Sequence, residues 1–236
     1  MDKLKIIQRL IDQLVPIECK QRENALGVPE TLDEDYRTFL SICNGGYTKD
    51  NFFHFLGLSG PPQHDVIHWN TPEAWKKWFQ PSDSWFFFAE DIWGDQYFFT
   101  TGRRKVLRTL WIHDGKSTLD SWSFVDFIDG VVFGDSNDGL KALARRFFQE
   151  TGEHYEPFKH ISYKIPLCLG GSETEISNME LSDSLINLRF AGQVTTQVKK
   201  LAPGTRIVDV QMNRDSGELR LIPETPAGEP HSRPSP

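Results

Sequence analysis

The sequence predicts an α+β fold in which an antiparallel meander sheet is flanked by helices and followed by a small C-terminal α/β subdomain. Three observations carry this. Two amphipathic stretches precede residue 45, four aromatic-rich segments crowd between residues 51 and 113, and two further helical patterns follow before residue 152.

In residues 1–14, Leu4, Ile7, Leu10, Ile11 and Leu14 form one apolar stripe with Lys3, Lys5, Gln8 and Asp12 outside it, the pattern of a helix packed on a core. A second helix is expected from Thr31, its hydroxyl serving as cap. Asp33 and Glu34 would sit in the positive first turn, with Leu32, Tyr36, Phe39, Leu40 and Cys43 on one face. Asn44-Gly45-Gly46 ends it, because Asn and Gly accept the left-handed conformation. Residues 51–58, 84–90, 95–101 and 106–113 read as strands, with hairpin turns at Gly94-Asp95 and Thr101-Gly102-Arg103. Between the first two, Thr71-Pro72-Glu73 starts a helix that places Trp75, Trp78 and Phe79 on one face. Ser123 caps a short helix reaching about Phe133, and Leu140, Leu143, Ala144, Phe147 and Phe148 mark another ending before Gly152.

Residues 1–155 thus form the main domain and contain all seven tryptophans. Residues 156–222 are expected to be an appended subdomain: a strand over 162–169, a helix over 185–201 with Leu188, Val194 and Val198 inward, and a hairpin from 206–212 and 218–222. Gly192, Thr195 and Thr196 weaken that helix. The tail, 223–236, holds five prolines and too few apolar groups to offset the entropy of ordering, so disorder is expected there.

The chain of 236 residues carries 26 Lys and Arg against 33 Asp and Glu, a net charge of −7, which disfavours nucleic acid or an anionic membrane as main partner and leaves a basic protein partner compatible. No apolar run exceeds about five residues where a spanning helix needs roughly twenty. The N-terminal segment lacks the apolar region of a secretion signal, and three cysteines, Cys19, Cys43 and Cys168, without a CxxC pair point to a reducing cytoplasm. The oligomeric state has no sequence signature.

The search for chemistry returns little. His64 and His68 have the spacing of two metal ligands on a helix, but Pro61-Pro62 precede them and no third ligand is indicated, so neither a metal nor any other cofactor is expected. No G-x-S-x-G elbow or Walker lysine is present, and Cys43 on an apolar helix face reads as packing. Asp91 with Asp95, or Asp126 with Asp129, could pair for acid–base work, though solvated acids are the simpler reading. A different pattern stands out: Asp120, Asp126, Asp129, Asp135 and Asp138 interleave with Trp122, Phe124, Phe127 and Phe133, and no Lys or Arg interrupts 117–140. Carboxylates steer a basic partner and rings anchor it, so these acids are candidate partner-binding residues, with Asp91, Trp93 and Asp95 extending the surface. The alternative is that the rings face the core and only the acids face water.

Leu26-Gly27, Leu32, Asp35-Tyr36, Phe39-Leu40, Asn44-Gly45-Gly46, Phe86-Phe87-Phe88-Ala89-Glu90-Asp91 and Gly94-Asp95-Gln96-Tyr97-Phe98 together resemble the SUKH superfamily, the Smi/Knr-like proteins. Asp33 stands where that family usually has proline, which puts the start of the second helix in doubt. The resemblance implies a mixed α+β fold without catalysis and, for a bacterial member, an immunity protein that binds and neutralises a cognate polymorphic or contact-delivered toxin. An acidic inhibitor suits a basic nuclease toxin. Ile165-Pro166-Leu167, Leu169-Gly170-Gly171 and Leu201-Ala202-Pro203-Gly204-Thr205 resemble the tail part of proteins associated with type VI secretion immunity. The competing expectations are a regulatory scaffold of the fungal Smi/Knr kind and a hydrolase using His54, His64 or His68 with an aspartate.

Overall fold

A computed structural model describes residues 2–18, 28–30, 32–81, 84–100, 106–121, 123–213 and 216–224. Seven strands, β1 (Leu14–Val15), β2 (Gly46–Thr48), β3 (Phe53–Phe55), β4 (Trp85–Asp91), β5 (Gln96–Thr100), β6 (Leu107–Trp111) and β7 (Lys116–Ser121), form one antiparallel sheet in sequential order. This is the predicted meander, extended at both ends by strands too short or too polar to stand out: β1 has two residues, and β7 reads KSTLDS.

One face of the sheet is covered by α1 (Lys3–Ile11), α2 (Glu34–Ile42) and α5 (Phe124–Phe127). Their apolar stripes close an aromatic core in which Tyr36, Phe39, Phe55, Phe88 and Phe124 meet at centroid distances of 5.3 to 6.3 Å. The first turn of α2 differs from expectation. Asp33, not Thr31, is the cap: its Oδ1 accepts from the Asp35 and Tyr36 amides at 2.9 and 3.2 Å, and Thr31 lies outside the described residues. A carboxylate at that end also meets the positive helix terminus, so aspartate takes over where the family has proline. Ser123 caps α5 as predicted, and the chain continues as a π turn, Ile128–Val132, before α6 (Asp138–Thr151), which Gly152 ends at φ 72°.

The other face is covered by α3 (Val66–Trp69), a π turn at Pro72–Lys76 that runs into α4 (Lys77–Phe79), and the C-terminal residues. Trp75 lies against Phe87 at 4.7 Å, and Trp85 stacks on Phe98 at 4.2 Å. The expected helix after Pro72 is therefore present but begins with a wide turn.

Beyond residue 155, β8 (Lys159–Tyr163) and β9 (Met179–Asp183) form a hairpin, α7 (Ser184–Val198) packs on α4, and β10 (Ile207–Met212) with β11 (Leu219–Pro223) forms a second hairpin against α7. The strand expected over 162–169 ends early because Pro166 has no amide to offer and Asn178 clamps Ile165 on both sides, its Oδ1 accepting from the Ile165 amide and its Nδ2 donating to the Ile165 carbonyl. Ile161, Tyr163, Met179, Leu188 and Ala191 belong to the same core cluster as Ile7 and Phe55. Gly192 is the contact point of α7: a Cβ there would lie 2.8 Å from the Trp78 Cβ and the Phe79 ring. Of the tail expected to be disordered, residues 225–236 lie outside the described residues, as does the turn expected at 101–103.

Candidate functional site

Register decides what the second face of the sheet presents. Tyr47 is opposite His54, His54 opposite Glu90, and Glu90 opposite Gln96, so four side chains with polar ends form one row across β2 to β5. That row lies beneath protein, not solvent: His54, Glu90 and Gln96 are at most 2% exposed.

A chain of hydrogen bonds runs through the row. The Asn44 carbonyl accepts from His64 Nε2 at 2.7 Å, His64 Nδ1 meets His54 Nε2 at 2.9 Å, and His54 Nδ1 meets Glu90 Oε1 at 2.9 Å. The directions follow from the ends. A carbonyl only accepts, so His64 donates through Nε2 and, as a neutral ring, accepts at Nδ1; His54 must then donate through both nitrogens, to His64 and to the Glu90 carboxylate. Glu90 Oε2 accepts from Gln96 Nε2 at 2.9 Å and faces His160 Nε2 at 3.1 Å, and Trp69 Nε1 donates to Gln96 Oε1 at 2.8 Å. Burial works to raise the Glu90 carboxyl, but the charge and hydrogen bonding of His160 and His54 outweigh it and bring the pKa to about 2. Burial, with the His54 charge beside it, pushes His64 down to about 3.

Asn44-Gly45-Gly46 anchors this chain. Besides its carbonyl, Asn44 uses Oδ1 to accept from the Leu58 amide at 2.7 Å and Nδ2 to donate to the Ser59 carbonyl at 3.1 Å, which ties down the loop that carries His64. Gly45 at φ 70° makes the approach to the Phe55 and Leu56 backbone that a Cβ would block.

The acids at the β4–β5 turn are buried too. Asp91 Oδ1 accepts from the Trp93 and Asp95 amides at 2.9 and 3.1 Å and its Oδ2 from the Tyr97 hydroxyl at 3.0 Å, while Asp95 Oδ1 accepts from the Ile112 amide at 2.9 Å. Burial raises Asp91 to about 6 against those bonds, and burial together with the Asp91 charge raises Asp95 well above the ordinary carboxylate range. Asp91, Trp93 and Asp95, at 2 to 3% exposed, are therefore not part of any surface, and the reading of the two aspartates as solvated is corrected with it: the turn folds its own carboxylates inward to satisfy its amides.

The remaining candidates divide cleanly. Asp126, Asp129, Asp135 and Asp138 are exposed along the ridge from α5 to the start of α6, whereas Phe124 and Phe127 face the core and Phe133 is half-buried beneath Arg9. Trp122 and the Asp120 side chain lie outside the described residues. Phe124 and Phe127 are thus core and the four described aspartates face water, as in the second of the two readings the sequence allowed.

His68 is exposed and apart from the buried chain, and no three His, Cys, Asp or Glu among the described residues are grouped to hold a metal ion. Burial raises the Cys43 thiol. The cavity beside His54, Glu90 and His160 has a volume of about 10 Å³, room for no more than one water. Among the described residues no helix is long and apolar enough to cross a membrane. Sequence reasoning missed His160 and Gln96 as partners of Glu90, because the contact depends on strand register and on a hairpin 70 residues further along the chain.

A seven-stranded meander covered on both faces, pinned by an N-G-G loop stop and an E-D…G-D turn, defines an α+β domain with a sealed polar row inside it. Residues 17–130 match the SMI1 / KNR4 family (SUKH-1), which supports the assignment of this segment to the SUKH superfamily. Among solved structures, the crystal structure of Atu4351 from Agrobacterium tumefaciens is similar at 17% identity and a TM-score of 0.48, over 86% of this chain and 93% of that one. No curated protein matches the chain.

Proposed function

We propose that the protein is a cytoplasmic immunity protein that binds a cognate secreted or contact-delivered toxin and neutralises it by occlusion, without chemistry of its own. The observation that carries this reading is the ridge of four exposed carboxylates, Asp126, Asp129, Asp135 and Asp138, on a domain of the SUKH superfamily. A run of exposed carboxylates accelerates encounter with a basic partner, and toxins acting on nucleic acids are commonly basic, so a nuclease toxin is the favoured target. Support for a binding role over a catalytic one comes from the burial of His54 and Glu90 beside a cavity of about 10 Å³, too small for a substrate.

Affinity capture of the tagged protein from its host, followed by stopped-flow association with the captured partner, tests the reading. One near-stoichiometric partner, toxic when expressed alone, is expected. The triple variant Asp126→Lys, Asp129→Lys, Asp135→Lys should slow association at least tenfold at low salt with circular dichroism unchanged. Association that is equal for both proteins rejects the acidic ridge as the interface, and capture of several wall-synthesis or signalling proteins without a toxin replaces immunity by a regulatory scaffold.

A further inference from the structure

Cations in this acidic chain converge at one cleft. Arg9 from α1, Lys49 from the β2–β3 turn and Lys141 from the first turn of α6 line a cavity of about 600 Å³ beside the β1 edge of the sheet, together with Thr48 and Phe133. One acid is present: Asp50 pairs with Lys141 at 3.3 Å. Arg9 and Lys49 have no acidic partner among the described residues. Lys141 is held in place, its side chain only 16% exposed and its ammonium over the Phe52 and Phe53 rings at 5.4 and 5.8 Å. Arg9 is oriented as well. Its guanidinium carbon lies over the Phe133 ring, 3.8 Å from the centroid, and a fork stacked in this way can still donate from its edges.

We propose that this cleft binds a phosphate monoester carried on an organic body of roughly mononucleotide size. Three cations and one carboxylate leave two positive charges, matching a phosphate monoester, which carries about −1.5 to −2 at neutral pH. Asp50 counts as charged in that sum because the hydrogen bonds from Thr48 and the Phe52 amide, with Lys141 beside it, overcome burial and hold its carboxyl below the ordinary range. A planar fork and two ammonium groups come from three elements to the wall of one cavity, a donor set that suits a tetrahedral anion. The cavity is much larger than a phosphate and has Phe133 and Val132 on its wall, so the anion arrives attached to something with apolar surface. This site lies on the domain whatever partner the acidic ridge takes, and its test requires no toxin.

Isothermal titration of the full chain at low salt with adenosine 5′-monophosphate, inorganic phosphate and adenosine reads the proposal directly. The monophosphate should saturate one site, phosphate should compete for it more weakly, and adenosine should give no heat. Arg9→Ala and Lys49→Ala, both at exposed positions where the fold is not at risk, should each weaken the monophosphate about tenfold. Lack of saturable binding of both the monophosphate and phosphate up to about 10 mM, or equal binding by the two variants, overturns the site. Tighter binding of a 5′-phosphorylated oligonucleotide than of the monophosphate overturns the small-molecule assignment.

Discussion

His54 Nδ1 lies 2.9 Å from Glu90 Oε1, with neither side chain more than 2% exposed. A carboxylate so deep is sustained by what surrounds it: His54, backed by His64 at 2.9 Å, meets one oxygen, and Gln96 and His160 meet the other.

His54→Ala removes one side of this pair and leaves a buried carboxylate short of a donor, so it should destabilise the fold by about 3 kcal/mol in urea titrations, against less than about 0.5 kcal/mol for the exposed His68→Ala. The Glu90 pKa falls on folding from the ordinary 4.5 to about 2, so its stabilising contribution is complete above 4.5 and is lost as pH falls toward 2. The difference between wild type and variant should shrink over that window. A constant difference would show that His54 acts through packing alone.

Asp91 has the opposite sign. Its pKa rises on folding from 3.8 to about 6, so the ionised group opposes folding above pH 6 and ceases to do so as pH falls toward 3.8. Asp91→Asn keeps the acceptor for the Trp93 and Asp95 amides and turns an amide toward the Tyr97 hydroxyl, which can accept. Thermal unfolding should show the variant more stable at pH 8, on the order of 2 kcal/mol, with the gain vanishing near pH 4. A variant less stable at pH 8 would mean that the turn needs the charge.

The C-terminal hairpin is sealed by two glutamines one helical turn apart. Gln193 and Gln197 of α7 accept from the Leu219 and Leu221 amides at 2.7 and 3.0 Å and donate to the Gly217 and Leu219 carbonyls at 3.2 and 2.7 Å, as a neighbouring strand would. Replacing both with leucine should raise hydrogen exchange at the Leu219 and Leu221 amides at least tenfold, leaving exchange in β4 and β5 unchanged. Equal exchange would assign the hairpin's hold to Val194 and its apolar neighbours instead.

Gly192→Ala tests the docking of α7. Alanine favours a helix over glycine by about 1 kcal/mol, yet its methyl would press on Trp78 and Phe79, and overpacking costs about 1 to 3 kcal/mol. Net destabilisation is expected in urea titrations, and a more stable variant would show that the helix can move away without loss.

Local signals account for what was legible in the sequence. The stripe of α1, the cap at Ser123, the stop at Gly152 and the four aromatic strands each depend on residues within a few positions of one another. Gly192, a poor helix former inside α7, is explained by tertiary packing, which overrides propensity where Trp78 and Phe79 come close. The buried polar row was not legible, since His54 and Glu90 are 36 residues apart and become neighbours only through register. For the same reason Asp91 and Asp95 resembled surface acids: burial of a charge depends on the turn around it, not on its identity.

Growth is the direct readout of the proposed protection against a toxin. The partner captured from the host is expressed in a sensitive cell alone, with the wild-type protein, and with the variant reversed at Asp126, Asp129 and Asp135. Arrest with the partner alone, restored growth with wild type, and weakened rescue with the variant at limiting expression are expected. A partner that does not arrest growth, or arrest that the wild-type protein leaves untouched, would contradict the proposed protection.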